Sequence, residues 1–280
     1  MDWIILLVIF SFLVILVSLL SIIILRPRVA IASLVRKPVD FPLWLKHHRN
    51  IGVNMFFIRL EDSYGWEDYL QLQHDVVFES GTSDKDGNNY ETLQSRQVTF
   101  VNKCLKEAKK YDITWVFHID SDELLDGSFV FLRSLDRKYK CLHYENFEAL
   151  YNDSNNETCF AARSFMRCAN RAPCNSYING KGAGKVDKDV VLAGPHYFSY
   201  NGNIEGNHAY TVPIDILKVL HFDSCSFGSW AEKYHHLSKT KNIDNIPFKY
   251  YKESVEAVEK AFDIYKKYKI DYVTTEEATK

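Results

Sequence analysis

The stretch Trp115-Val116-Phe117-His118-Ile119-Asp120-Ser121-Asp122-Glu123 joins an apolar run to three acids set around one serine. Val116, Phe117 and Ile119 read as a buried strand, so Asp120 and Asp122 fall where the chain leaves the core and turns outward. Two carboxylates two residues apart at a strand end can aim oxygens at one small volume. Left alone they repel and one keeps its proton, whereas a divalent cation between them holds both ionised. Oxygen ligation favours a hard ion, Mn²⁺ or Mg²⁺, with positions left for substrate phosphates. The competing reading makes both acids turn and cap residues before a helix starting near Ser128. Their place at the C-terminal end of a buried strand, where alternating α/β sheets bind ligands, favours the metal.

A chain of 280 residues that is 46% hydrophobic and 14% aromatic can bury one substantial core, and 12 Gly and 7 Pro are too few for a fibrous or disordered class. The formal charge of −2 and the lack of a long basic block argue against nucleic acid as the main partner. Between Trp3 and Leu25 there is no charged residue, which predicts a transmembrane anchor over residues 1–28. The body is expected over 29–270 and a loose tail over 271–280. Asp2 precedes the apolar run while Arg26, Arg28, Arg36 and Lys37 follow it. The positive-inside rule therefore predicts a single-pass membrane protein, held in the lipid bilayer by its N-terminal helix, with a cytoplasmic catalytic domain. The sequons Asn152-Asp153-Ser154 and Asn156-Glu157-Thr158, with 6 cysteines, point instead to a lumenal body. Cys159, Cys168 and Cys174 match no zinc spacing and allow either a lumenal disulfide or cytosolic thiols.

Along the body, Val29 to Ser33 reads as a first strand and Asp40 to Ile51 as a helix with Phe41, Trp44, Leu45 and His48 on one face. Asn54 to Leu60 is a second strand ending in Glu61-Asp62-Ser63. Ser63 is the expected cap of a short helix toward Leu72, and Val76 to Glu79 a third strand. A polar loop, Gly81 to Asn89, leads into a helix whose stripe is Leu93, Gln97, Val101, Leu105 and Ala108. The order β-α-β-α-β-α-β predicts an α/β fold with a mostly parallel central sheet flanked by helices. Ile216 to Leu220 reads as a strand or strand entry, and Ser254 to Tyr268 as a packing helix.

Three segments, Val29 to Ser63, Arg96 to Leu125 and Leu220 to Tyr234, resemble family 2-like glycosyltransferases of the GT-A fold, including the related family 92 group. The residues that carry the resemblance are Trp44, Leu45 and His48 in the first helix, Gly52, Val53, Phe56 and Phe57 after it, Arg96-Gln97 and Asn102, the Trp115 segment with its acids, and His221, Phe222, Ser226, Phe227 and Lys233. Leu43 stands where the family has an acid, and Lys37-Pro38 where it has Asn-Glu. The resemblance implies transfer of a sugar from a nucleotide-sugar donor to a hydroxyl of a glycan, glycoprotein or glycolipid acceptor, with inversion. It implies Asp120 and Asp122 on the metal, with His221 completing the shell. It also implies Asp62 facing the nucleotide, Arg96 and Gln97 on the donor side, and a basic residue near the diphosphate, for which Lys181 is the candidate against a solvated loop.

An inverting transfer needs a base for the acceptor hydroxyl, commonly a carboxylate, and Glu205 and Asp223 are the candidates. His196, among aromatics in Gly194-Pro195-His196-Tyr197-Phe198, reads either as packing or as an acceptor-side residue. Asn179 to Lys185 is glycine-rich without Walker spacing. Two other functions fit the same acids: a metal-dependent nucleotidyl- or phosphotransferase, and a catalytically inactive binding protein of the same fold.

Overall fold

The structure, a computed structural model, describes residues 3, 7–15, 27–83, 89–150, 158–162, 164–168, 177–223, 227–239, 249–261 and 263. The first half follows the expected rhythm: β1 (Val29–Arg36), α1 (Phe41–Asn50), β2 (Met55–Glu61), α2 (Glu67–Gln71), β3 (Val76–Gly81), α3 (Asn89–Ala108) and β4 (Trp115–His118). These strands pair in parallel, β4 and β2 on either side of β1 and β3 beyond β2. Alternation sets the two faces. Ile31 and Phe117 turn toward Trp44 and Leu45 of α1, while Ala30, Ala32 and Val116 turn toward Phe100, Val101 and Leu105 of α3. Ser63 caps no helix: its hydroxyl donates to the Glu61 carbonyl and accepts the Lys37 N–H, and α2 begins after Trp66.

The expected GT-A type architecture of one mostly parallel central sheet is corrected: among the described residues the strands divide among three sheets, and five of their ten pairings are antiparallel. After β4 come β5 (Glu123–Gly127), β6 (Cys141–Tyr144), β7 (Asn146–Leu150), β8 (Ser164–Arg167), β9 (Lys181–Lys185), β10 (Val190–Gly194), β11 (Tyr197–Tyr200), β12 (Ala209–Thr211) and β13 (Leu217–His221), before helix α4 (Phe227–Ser238). They make three sheets: a mixed seven-stranded one in the order β12-β6-β9-β4-β1-β2-β3, a four-stranded one in the order β5-β13-β7-β8, and the β10-β11 hairpin. β9 is antiparallel to both β4 and β6, β5 to β13, β7 to β8, and β10 to β11. A parallel neighbour needs a long crossover, usually a helix. Between β4 and β13 the described elements are short strands and single 3-10 turns, so neighbouring strands mostly reverse direction.

The glycine-rich stretch Asn179 to Lys185 is mostly strand. A Cβ on Gly184 would stand 2.3 Å from Cδ1 of Phe198, so the bare glycine is what lets β11 close over β9. A third apolar cluster joins Tyr234 and Leu237 of α4 to Tyr251, Val255 and Val258 of the helical stretch 249–261. Phe262, Tyr265 and the expected tail 271–280 lie outside the described residues.

No helix among the described residues is long and apolar enough to cross a membrane. That overturns the expected transmembrane anchor over 1–28 and, with it, the single-pass placement with a cytoplasmic catalytic domain. Of the apolar run, residues 3 and 7–15 are described and helical. A span needs about 20 helical residues, more than the helical stretch 7–15 among the described residues supplies. Cys159 and Cys168 are disulfide-bonded, which decides against thiols at these two positions; disulfides belong to oxidising compartments. Cys174 and both sequon asparagines lie outside the described residues.

Candidate functional site

Helix α1 organises the site from behind. Its Trp44 indole donates to the Glu123 carbonyl at 2.7 Å, His48 Nε2 accepts the Leu125 N–H at 3.1 Å, and His47 Nε2–H donates to the Leu125 carbonyl at 2.8 Å. Strand β5 is a sheet edge, and these side chains take up backbone groups that an edge leaves unpaired. Burial, then the neighbouring His47, pushes His48 well below its ordinary pKa, which keeps the ring neutral and Nε2 an acceptor. The Trp-Leu-x-x-His pattern thus anchors the strand that starts at the last acid of the turn.

That turn sends its two aspartates to different neighbourhoods. Asp120 takes a hydrogen bond from the Gln97 amide at 2.8 Å and the ammonium of Lys181 at 2.5 Å. Lys181 is 1% exposed and also lies 3.3 Å from Glu123, which is fully buried. Glu123 braces the turn by accepting the Asp120 N–H at 2.8 Å, and its other oxygen accepts the Tyr177 hydroxyl. Asn146 of β7 holds the strand of chain that brings these partners in, donating to the Tyr177 carbonyl and accepting the Gly180 N–H. Burial alone would raise the Asp120 carboxyl, but the Lys181 ammonium overrides it and holds it well below the usual carboxylate range. Burial pushes Glu123 the other way, upward, against the pull of the same ammonium.

Asp122 faces β13. His221 Nε2 lies 3.5 Å from its carboxylate, and ligand atoms of Asp122, His221 and Asp223 all fall within 4.8 Å of one another, a group that could hold a metal ion. His221 Nδ1 is bound by both oxygens of buried Glu148, at 2.9 and 3.0 Å. A carboxylate on the far nitrogen of a histidine orients the ring and strengthens it as a ligand. Burial would lower the His221 pKa, but Glu148 and then Asp122 raise it well above its ordinary value, so the ring carries a proton that a cation would displace. Asp223 is 4% exposed at its side chain and is held by the Lys233 ammonium and, at 3.2 Å, the Tyr234 hydroxyl, both from α4.

The remaining predicted residues divide. Asp62, at the end of β2 with a left-handed backbone (φ 47°), accepts from the Ser83 N–H and hydroxyl and lies 3.5 Å from Arg36. Gln97 reaches the site through Asp120. Arg96 does not face it as a free cation: its guanidinium forks onto fully buried Glu61 at 2.9 and 3.0 Å. Lys181 lies in no solvated loop but is itself buried, between half-buried Asp120 and fully buried Glu123. Glu205 is exposed on the turn after β11, and burial, then its charge, raises the Tyr197 phenol beside it. Asp223, read as a base, belongs to the metal-capable group instead. Glu148 and Tyr177 went unread because no local pattern marks them; each meets the site only through pairing of distant strands.

Together the fold and this cluster define a mixed α/β protein with a candidate divalent-cation site. No family model and no curated protein matches the chain. Among solved structures it is similar to HddC from Yersinia pseudotuberculosis, at 11% identity over 49% of this chain and 68% of that one, with a TM-score of 0.28. A likeness that slight bears on neither fold nor activity.

Proposed function

We propose that the protein is a metal-dependent glycosyltransferase that moves a sugar from a nucleotide-sugar donor to a hydroxyl of a glycan, glycoprotein or glycolipid acceptor, with inversion. The observation that carries this reading is the convergence of Asp122, His221 and Asp223, with Glu148 fixed on the far nitrogen of the imidazole. Two carboxylates and a nitrogen fit Mn²⁺ better than Mg²⁺, which prefers an all-oxygen shell. When bound, the ion supplies positive charge against the diphosphate of a nucleotide sugar. The resemblance of the Trp44, Asp122 and His221 segments to family 2-like glycosyltransferases supports the same reading.

The chain's own groups have definable tasks. Asp62 stands where the parallel strands β1, β2 and β3 end, the place where such sheets take nucleotides, with Arg36 and Ser83 holding its carboxylate. Lys181 and Gln97 hold Asp120, and Glu123 with Tyr177 keeps the turn rigid behind Asp122. A panel of nucleotide sugars and nucleoside triphosphates, read as released nucleoside diphosphate or pyrophosphate with and without Mn²⁺, tests the proposal. Mn²⁺-dependent nucleoside diphosphate release from one sugar donor is the expected result. Pyrophosphate release from triphosphates alone would replace it with nucleotidyl transfer, and silence from both would leave a binding protein.

A further inference from the structure

We propose that His196 is the base that takes the proton from the acceptor hydroxyl, a role that rests on the glycosyl-transfer reading above. Its Nδ1 lies 2.8 Å from the Gly180 carbonyl, which can only accept, so Nδ1 carries the hydrogen and Nε2 presents a lone pair. No described residue hydrogen-bonds to that Nε2, and the ring is half-buried rather than sealed in the core. Gly180 adjoins Lys181, and Asn146 clamps its N–H, so the imidazole is oriented by the same segment that delivers Lys181 to Asp120.

Position supports the role. The Tyr177 ring touches both imidazoles, 4.7 Å from His196 and 5.2 Å from His221, so His196 stands one aromatic ring away from the candidate cation site. An inverting displacement needs this separation. The leaving diphosphate and the attacking oxygen lie on opposite sides of the anomeric carbon, with reacting atoms about 3–3.5 Å apart, so the base cannot adjoin the group that holds the diphosphate. Of the two carboxylates, Asp223 lies inside the cation group, and Glu205 is exposed on the turn after β11. Burial and then the Lys181 ammonium push His196 down to about 4, so its lone pair is available at neutral pH.

In the step, the acceptor oxygen forms its bond to the anomeric carbon while its proton passes to His196 Nε2. The bond from that carbon to the diphosphate breaks, and its electron pair leaves with the diphosphate. The imidazolium then returns its proton to solvent. Nothing else is consumed.

The test uses His196→Asn in the full chain, because the shorter amide can still donate to the Gly180 carbonyl while the lone pair at the Nε2 position is lost. The assay is Mn²⁺-dependent release of nucleoside diphosphate from whichever nucleotide sugar the wild type hydrolyses, in water and with added azide, a nucleophile that needs no deprotonation. Loss of a base is expected to slow the water reaction at least ~100-fold, with the azide reaction within a few-fold of wild type and the thermal midpoint and Mn²⁺ requirement unchanged. Equal loss in water and azide, or hydrolysis at the wild-type rate, would overturn the assignment. If His196→Asn does not fold, His196→Gln replaces it under the same criteria. A wild type silent toward every donor would instead strike down the glycosyl-transfer reading, and this role with it.

Discussion

Lys181 Nζ meets Asp120 Oδ2 at 2.5 Å, and that contact separates the two aspartates of the Asp-Ser-Asp turn. Asp120 is committed to a buried ammonium and an amide, and Asp122 to the group around His221. The pair that looks symmetric in sequence is asymmetric in space.

Lys181→Met removes the cation and leaves Asp120 and Glu123 facing each other. A buried pair broken on one side costs about 3–5 kcal/mol, and roughly 2–3 is expected here because the Asp120 side chain is 32% exposed and can recruit water. Urea unfolding at pH 7 measures it, and a change under about 0.5 kcal/mol, the size of an ordinary surface substitution, would refute the brace. The pH dependence has a definite sign. Asp120 is depressed in the fold, so its contribution is present above its unfolded value near pH 4 and is lost as pH falls through the lower folded value. The gap between wild type and Lys181→Met should therefore hold between about pH 5 and pH 6 and narrow in acid, and it should widen as pH rises past about 7, where Glu123 ionises beside the ammonium in the wild type but not in the variant.

Asp122→Asn and His221→Ala should each raise the Mn²⁺ concentration needed for half-saturation by a large factor, read by electron paramagnetic resonance of free Mn²⁺. Asp120→Asn should shift that titration far less while lowering the unfolding midpoint. Three variants with the same titration curve would contradict the division of the acids.

Glu148 acts on the ion through His221. Glu148→Gln keeps size and removes the charge on Nδ1, and a loss of about 10–100-fold in Mn²⁺ affinity is expected with the fold intact by circular dichroism. A superimposable binding isotherm would mean that Glu148 only packs.

The cysteines should separate chemically. Cys104 and Cys141 are free and buried, and burial pushes the Cys141 thiol up to about 12. Iodoacetamide at pH 8 should leave both unlabelled until the protein is unfolded, since the thiolate is the nucleophile. Cys159 and Cys168 should label only after reduction. Rapid labelling of either in the native, unreduced protein would disprove the disulfides.

Local patterns carried much of the first half. The faces of α1 and α3 were legible from apolar spacing: Phe41, Trp44, Leu45 and His48 are buried, as are Gln97, Val101, Leu105 and Ala108, while Leu93 at the head of the α3 stripe is half-buried. The strand before the acids was legible too, because a helix or strand with one buried face repeats its apolar residues at its own period. Beyond Glu123 that signal fades. β9 hides in a glycine-rich stretch, since its glycines answer to Phe198 on another strand rather than to any local rule.

By itself the sequence determined where the chain turns from core to acids, that Trp44 and His48 share a face, and that His221 ends an apolar strand. The tertiary structure alone decided which acid meets which cation. Lys181 comes to Asp120, and Glu148 to His221, across 61 and 73 residues of chain through the pairing of β9 with β4 and of β7 with β13. Sequence periodicity reports which side of an element is buried, whereas a charge partner is set by strand register, and register is settled only when the sheets pack.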